Sequence, residues 1–230
     1  VTGNKNVIGV APYIAGLVLL QTEPPEGINP KFFAPLLLGI DPKLENDVSV
    51  LPRSIVTGEF DLGGNSVLVG GNFAHAMELS LGDRVAIYSP SSIEKLQRSI
   101  KNPDAEKPVP QEFVVRGIFD VGYGDYNANI IAVSLENAQQ LWKLKEDEAH
   151  GLQILLRDPL DAEKVREQLL EHLDQNFNVV TWQEENTQIF GALVVEKNMM
   201  FFLLFFIMIV AGFGIVNSQI TFVVQKTREI

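Results

Sequence analysis

The chain has 230 residues and a formal net charge of −11 at neutral pH, and its length allows one or two domains with a core of ordinary size. The acidic charge argues against nucleic acid as a partner, since no basic stripe is present to neutralise phosphates, and against adsorption to an anionic lipid surface. The complete absence of cysteine excludes disulfide frameworks, zinc–thiolate sites and cysteine nucleophiles.

The first 88 residues alternate apolar runs with turn residues, which predicts mainly strands. The predicted elements, in chain order, are two strands within 7–21 that are broken near Pro12, a strand over 32–40, a short helix over 48–57, a strand over 65–70, a helix over 72–79 and a strand over 84–88.

Residues 89–112 differ in character, because they combine four prolines with many charges. This pattern predicts a long excursion, either an extended hairpin or a mobile loop, and such loops in compact domains are often functional. The alternative is a surface insertion with no partner.

The elements predicted after this excursion end in a βαβ-like tail. They are strands over 113–121 and 129–134 with a loop at 122–128 between them, a helix over 135–146, a strand over 151–157, a helix over 159–175 and a strand over 177–182. A last helical pattern starts near Gln183 and meets no breaker before the apolar segment that follows. It therefore predicts one continuous helix of about 40 residues.

The segment from Asn198 to Gln225 contains 28 residues without a single Asp, Glu, Lys or Arg. As a helix it would reach roughly 42 Å, which exceeds the ~30 Å hydrocarbon core of a bilayer. We therefore expect it to span a membrane with tilt, or to project past one face. The alternative is a core helix of a soluble domain, but such helices rarely run this long without a charged face.

Small residues lie at helical spacing within this segment. Ala211, Gly214 and Ser218 share one face, where a second helix can approach closely, and Asn217 or Gln219 can hydrogen-bond across such a contact. The alternative is that small residues are simply common in membrane helices. A bulky, deformable cluster predicted to contact lipid or acyl chains comprises Met199, Met200, Phe202 and Phe206. Plain exposure to the bilayer explains this cluster equally well.

No constellation for catalysis, cofactor binding or metal binding is found in the sequence. His75, His150 and His172 each stand alone, without the spacing of metal ligands. The glycine pairs form neither a dinucleotide fingerprint nor a phosphate loop, and no nucleophile elbow is present. We therefore expect no catalytic residue, no cofactor and no metal.

Several motifs together resemble one known family. Around the apolar segment they are Val195-Glu-Lys-Asn-Met-Met200, Gly214-Ile-Val-Asn-Ser218 and Gln225-Lys-Thr-Arg-Glu-Ile230. Upstream they are Gly9-Val-Ala-Pro-Tyr13, Leu38-Gly-Ile-Asp-Pro42, Ser66-Val-Leu-Val-Gly70 and Leu81-Gly-Asp-Arg-Val85. In this order they resemble lipoprotein-releasing permeases of the LolC and LolE type, within the wider FtsX-like and MacB-like permeases of ABC transporters.

The resemblance implies an α+β fold, namely a MacB-like periplasmic core domain followed by a long helix that continues into one transmembrane helix. The implied divisions are a periplasmic domain over 1–182, in which two lobes are possible, a connecting helix over 183–198, a transmembrane helix over 199–225 and the start of a cytoplasmic segment at 226–230. Residues 1–198 would lie in the periplasm and the helix in a bacterial inner membrane. The chain starts at Val1 without a Met, so we expect a piece of a longer, four-helix permease.

The resemblance also implies partners. ATP hydrolysis is expected in a separate ABC ATPase subunit, so the chain itself would not be an enzyme. A second permease subunit, in a homo- or heterodimer, a periplasmic lipoprotein carrier and membrane lipid are the other expected partners. In the family a protruding hairpin of the LolC-type subunit recruits the carrier, and Ser89–Gln111 lies where that hairpin would be, with a partner loop predicted at Lys107, Pro108, Val109 and Pro110.

Two alternatives remain open from the sequence. One is a MacB-like exporter permease, and the other is a membrane-tethered scaffold or signalling domain that transports nothing. The transporter interpretations require one helix before Val1 and two more after Ile230, whereas a tethered scaffold requires none downstream.

Overall fold

The computed structural model describes residues 4–24, 29–92, 109–173 and 177–227. The chain divides into two compact units. The first, which we call unit 1, ends at Pro159, and the second, unit 2, begins at Leu160.

Unit 1 is built mainly of strands. Its described strands are β1 (Val7–Leu17), β2 (Leu19–Thr22), β3 (Phe32–Phe33), β4 (Leu36–Ile40), β5 (Ile55–Gly58), β6 (Ser66–Gly70), β7 (Arg84–Tyr88), β8 (Gln111–Phe119), β9 (Ile130–Ser134) and β10 (Gly151–Leu156). Its described helices are α1 (Gly71–Met77), α2 (Gly124–Asn129) and α3 (Leu135–Trp142), with single 3-10 turns at Glu45–Asp47 and Leu51–Arg53.

The strands form one mixed sheet that closes on itself. Its order is β10-β1-β4-β9-β6-β8-β7-β2-β3, with β5 added on β8. The pairs β4–β9 and β6–β8 are parallel, and the others are antiparallel. In this order, the strands from β1 through β4, β9, β6, β8 and β7 lead to β2. Only Val18 separates β1 from β2 in the sequence, so the first and last strands of this series are one continuous stretch of chain. The sheet between them therefore wraps into a barrel.

The alternation of side chains along the central strands fills two cores. Along β6, Val67 and Val69 enter one apolar cluster while Leu68 enters the other, as the two-residue period of a strand requires. The first cluster joins the strands to α1 and α3, and Phe113 lies fully buried in it. The second includes Leu51, which belongs to the 3-10 turn at Leu51–Arg53. Each fully buried aliphatic side chain stabilises the fold by about 1.5–3 kcal/mol relative to exposure.

Two predictions for the first half of unit 1 are wrong. The apolar run at 7–21 breaks at Val18 and not at Pro12. Pro12 pairs with Leu152 of β10, and pairing of β1 with β4 begins one residue later. The missing N–H of Pro12 therefore lies where the strand has a single neighbour, which a proline tolerates. The helix predicted over 48–57 is instead a 3-10 turn followed by β5, because its second half is β-branched.

Other predicted elements of unit 1 need smaller corrections. The strand predicted over 32–40 is interrupted by Ala34 and Pro35, and its first two residues are exposed. The loop predicted at 122–128 contains the helix α2. The predicted strands and helices over 65–70, 72–79, 84–88, 129–134 and 151–157 are confirmed within about two residues at each end, the usual fraying of such assignments.

Unit 2 contains helices at its described residues. They are α4 (Ala162–Leu170), α5 (Trp182–Glu185) and α6 (Thr187–Thr227). The predicted helix of about 40 residues is confirmed, since α6 has 41 residues. The strand predicted over 177–182, and with it the βαβ-like tail, is wrong because residues 177–181 have no regular secondary structure and Thr181 caps α5. The α+β fold followed by a long apolar helix is thus confirmed.

Candidate membrane helix and its packing face

The helix α6 has the length and composition to cross a membrane. Its 41 residues extend about 60 Å at 1.5 Å per residue, roughly twice the hydrocarbon thickness of a bilayer. None of its most apolar stretch is buried against the rest of the chain. An apolar surface of this size is unfavourable in water, so lipid or another protein must cover it.

The residues predicted as a packing face do share one side of α6. At 100° per residue, Ala211, Gly214 and Ser218 fall within an arc of about 60°, and Asn217 widens it to about 120°. A Cβ added at Gly214 would meet no atom within 4 Å, so the helix surface is open there. The hydroxyl of Thr221 donates to the backbone carbonyl oxygen of Asn217 at 2.9 Å. The hydroxyl proton of Thr221 is therefore bonded within the helix. The face is therefore formed, and its use as a contact stays a prediction.

The four residues predicted to contact acyl chains do not form a single stripe. Met199, Phe202 and Phe206 lie within about 60° of one another, whereas Met200 is turned by about 100° from Met199 and lies on the same side as Ser218. All four side chains are well exposed, with fractions between 59% and 68%. The bulky stripe of three residues therefore adjoins the packing face, with Met199 at the same angle around the helix as Asn217, whereas Met200 lies within the face.

The predicted partner loop connects two neighbouring strands. β7 and β8 are antiparallel, with Ile87 opposite Gln111, so the chain between them leaves and returns at the same edge of the barrel. This is the connection of a hairpin. At its end Val109 is 86% exposed and Pro110 is partly buried, whereas Lys107 and Pro108 lie outside the described residues.

The rings of two of the three histidines contact backbone carbonyl groups. Nδ1 of His150 is 2.9 Å from the carbonyl oxygen of Ala15, and Nδ1 of His172 is 2.9 Å from that of Gln168. Within the described ranges, no group of three or more His, Asp or Glu side chains is arranged to hold a metal ion.

One buried carboxyl group in unit 1 has an altered acidity. Glu45 is 4% exposed at the 3-10 turn that it begins, and burial raises the pKa of its carboxyl group, an effect that a hydrogen bond with Ser49 partly opposes. Burial, with a smaller contribution from the charge of Glu45, raises the pKa of Tyr126 to about 12. Both shifts make the stability of unit 1 depend on pH.

A capping box at the start of α5 escaped the sequence prediction. The side chain of Thr181 accepts from the backbone N–H of Glu184 at 3.3 Å, and the carboxylate of Glu184 accepts from the N–H of Thr181 at 3.1 Å. The signal for it is present in the sequence as Thr-x-x-Glu. It was obscured by the β-branched run Val179-Val180-Thr181, which favours a strand.

Three curated proteins that are similar in sequence to this chain share one name. No family model matches the chain. The lipoprotein-releasing system transmembrane protein LolC of Xylella fastidiosa (strain Temecula1) is 29% identical over 230 residues, which are 99% of this chain and 52% of that protein. The LolC proteins of Neisseria meningitidis serogroup B and Haemophilus influenzae are 26% and 27% identical, over 98% and 85% of this chain and 52% and 44% of theirs. The chain thus spans about half the length of the curated relatives it matches.

Two solved structures are similar at low identity. The extracellular domain of the ABC-type transporter YknZ from Gram-positive bacteria is 13% identical with a TM-score of 0.49, over 78% of this chain and 81% of that one. The periplasmic region of MacB from Actinobacillus actinomycetemcomitans is 15% identical with a TM-score of 0.47, over 82% and 78% of the two chains.

The relatives bear on several predictions from the sequence. Their shared name describes a transmembrane protein of a lipoprotein-releasing system, in accord with the exposed apolar helix α6 and with the predicted localisation in an inner membrane with a periplasmic domain. They are named as membrane components, in keeping with a chain that is not itself an enzyme. The chain is similar over almost its whole length to lipoprotein-releasing permeases of the LolC type, and the resemblance predicted from its motifs is confirmed.

Proposed function

We propose that this chain forms the periplasmic domain and the second membrane helix of an ABC transporter permease that releases lipoproteins from the inner membrane to a periplasmic carrier. The observation that carries the proposal is that similarity to the LolC proteins extends through unit 1 and on through α6, over 99% of the chain. A soluble domain that merely shared the barrel would not continue into the same membrane helix.

The division of the chain follows from the charge pattern of α6. Residues 199–225 carry no charge and form the span, 183–198 connect it to the domain over 1–182, and 226–230 begin the cytoplasmic segment. Lys226 and Arg228 in that last segment agree with the excess of positive charge on cytoplasmic sides. The Glu196–Lys197 pair then lies at the periplasmic membrane surface.

The surface of α6 divides between two kinds of partner in this proposal. The face with Ala211, Gly214 and Ser218 packs against a helix of the permease dimer, where small residues allow backbones to approach. The bulky stripe of Met199, Phe202 and Phe206 faces lipid and the acyl chains of the substrate. A separate ATPase subunit supplies the energy, and α6 carries its motion to the periplasmic domain.

The β7–β8 connection is the proposed contact with the carrier. It is the long connection of a hairpin at one edge of the barrel, with four prolines and dense charge that suit a protruding segment and not a packed core. Replacing it with a short linker closes a smaller loop, at an entropic change on the order of 1 kcal/mol or less, so the domain should keep its stability.

Reconstitution of the full-length transporter tests the function. Proteoliposomes with the permease, its co-purifying ATPase and a fluorescent triacylated lipoprotein are mixed with the soluble carrier, and ATP-dependent appearance of lipoprotein on the carrier is measured. We expect release with the intact protein, loss of release when a Gly/Ser linker replaces residues 93–108, and the same loss when the order of those residues is scrambled. Export of a soluble amphipathic compound without lipoprotein release would favour the exporter alternative, and failure to retain any ATPase would favour a tethered scaffold.

A further inference from the structure

The helix α6 is separated from α4 in the sequence by residues 171–186, which include the short helix α5. Between α4 and α5, the described residues 171–173 and 177–181 form neither helix nor strand. A connection of this kind transmits the position of α4 only loosely unless side chains bridge it. Arg166 of α4 provides such a bridge.

The guanidinium of Arg166 reaches three groups on both sides of this connection. Its Nε donates to the carbonyl oxygen of Val179 at 2.9 Å. Its Nη1 lies 2.7 Å from Oε1 of Glu163 in the preceding turn and 3.4 Å from Oε1 of Glu184 in α5. The side chain of Arg166 is 28% exposed, so solvent screens these interactions only in part. A rigid, planar donor fork that binds three acceptors fixes direction as well as distance.

Glu184 passes this restraint to the backbone of α5. Its Oε2 accepts from the N–H of Thr181 while Oε1 faces Arg166, so one carboxylate closes the capping box and binds the guanidinium. Since Thr181 is the N-cap of α5, Arg166 is held at the origin of that helix.

The junction between α5 and α6 is fixed in turn by two contacts. The side chain of Asn186 donates to the carbonyl of Trp182 at 2.7 Å and closes the single residue between the helices. The rings of Trp182 and Phe190 meet edge to face with centroids 5.3 Å apart, in a geometry favourable for aromatic pairs. Continuous contacts therefore lead from α4 through Arg166 and Glu184 to the first turn of α6.

We propose that Arg166 is a positioning residue that sets the direction of α6 relative to α4, so that both helices move as one body although the described residues between α4 and α5 form neither helix nor strand. The proposal rests on the proposed function only in giving this rigidity a use, namely transmission of movement from the membrane. The rigidity itself is a property of the resting protein and is measured without transport.

Glu184→Gln is the selective variant. A glutamine keeps an oxygen that accepts from Thr181 and therefore preserves the capping box, but it loses the charge that faces Arg166. Arg166→Gln removes the guanidinium altogether. The matched control is Glu185→Gln, which makes the same change of charge at the neighbouring exposed position of α5.

Spin labels at Lys164→Cys in α4 and Gln188→Cys in α6 report the geometry in the full-length transporter in nanodiscs, on an otherwise cysteine-free background. We expect a single narrow distribution of distances between the two spin labels in the parent protein and in Glu185→Gln. In Glu184→Gln and Arg166→Gln we expect a broad distribution. The thermal unfolding midpoint of Glu184→Gln should match that of Glu185→Gln. In the reconstituted system Glu184→Gln should retain ATP hydrolysis and release less lipoprotein per ATP.

Unchanged narrow distributions in both variants would overturn the proposal whatever the transport assay gives. A broad distribution of distances in Glu184→Gln would also overturn the proposal if the thermal unfolding midpoint of this variant fell below that of Glu185→Gln. The contact would then be needed only for folding. If the parent protein releases no lipoprotein, the proposed function fails, while the distance measurement still decides on Arg166.

Discussion

The sharpest test of the packing face is Gly214→Leu. Gly214 lies on the same side of α6 as Ala211 and Ser218, and a Cβ at this position would meet no atom of the chain within 4 Å. A side chain at this position therefore begins in open space in the isolated chain. Any loss caused by the substitution must come from a partner that approaches the helix at this point.

The magnitude follows from the type of contact. Close helix–helix contacts through small residues and hydrogen bonds in membranes contribute about 1–2 kcal/mol in model peptides. Losing such a contact weakens association by about 5- to 30-fold, since 1.4 kcal/mol corresponds to a factor of ten. Leucine also favours the helix over glycine by close to 1 kcal/mol in water, which acts in the opposite direction and must be controlled.

Gly212→Leu is the matched control. It introduces the same side chain two residues away, about 200° around α6, where a Cβ also meets nothing within 4 Å. The assay is a dilution series of the detergent-solubilised permease, with the fraction of assembled complex measured by fluorescence energy transfer between subunits. We expect dissociation at higher protein concentration for Gly214→Leu alone. Equal behaviour of the two variants would refute a packing face at Gly214.

Two further predictions concern unit 1. Burial raises the pKa of Glu45, so the folded state keeps a proton that the unfolded state loses, and stability falls as pH rises from the ordinary glutamate pKa through the raised one. Glu45→Gln should thus stabilise residues 1–159 above that window and flatten the pH dependence of denaturant unfolding, and an unchanged pH profile would contradict the burial argument. Gly39→Ala should destabilise the unit by about 1–3 kcal/mol, since its Cβ would overlap that of Ala138. The control for Gly39→Ala is Gly71→Ala, whose Cβ meets only a carbonyl oxygen at 3.6 Å. Equal unfolding midpoints of the two variants would show that α3 moves away to make room for the added Cβ at position 39.

The barrel shows which parts of the fold can be predicted from the sequence. The strand β6 contains the apolar run Val67-Leu-Val69, and it is buried on both sides, as such runs in sheet interiors usually are. Its prediction was correct because a short apolar run between the pairs Gly63-Gly64 and Gly70-Gly71 fits few other structures. The closure of the sheet through β1 and β2 was not predicted, since it depends on pairing partners distant in the sequence, which periodicity does not identify.

The wrong prediction of a strand just before α5 has a physical cause. At 177–182 the β-branched residues favoured a strand, but a local cap at Thr181 and the bond from Arg166 to Val179 stabilise a different backbone. Local propensity differs by only about 1 kcal/mol between states, and a single charge-assisted hydrogen bond is sufficient to reverse it. The long helix α6 was predictable because a hydrophobic run of its length has few alternatives.

The pairing of β1 with β10 has a mechanical consequence for unit 1. Val7 lies opposite Leu156, and the N–H of Arg157 donates to the carbonyl of Asn6, so the chain enters and leaves the unit at adjacent points of one antiparallel ladder. The hydrogen bonds of that ladder run perpendicular to the strands. A tensile load applied between the two ends of the unit therefore breaks these hydrogen bonds one after another. It does not load all of them at once in shear. Unit 1 would yield readily when pulled apart at its ends, and it can transmit force well only when it is pushed or tilted as a whole.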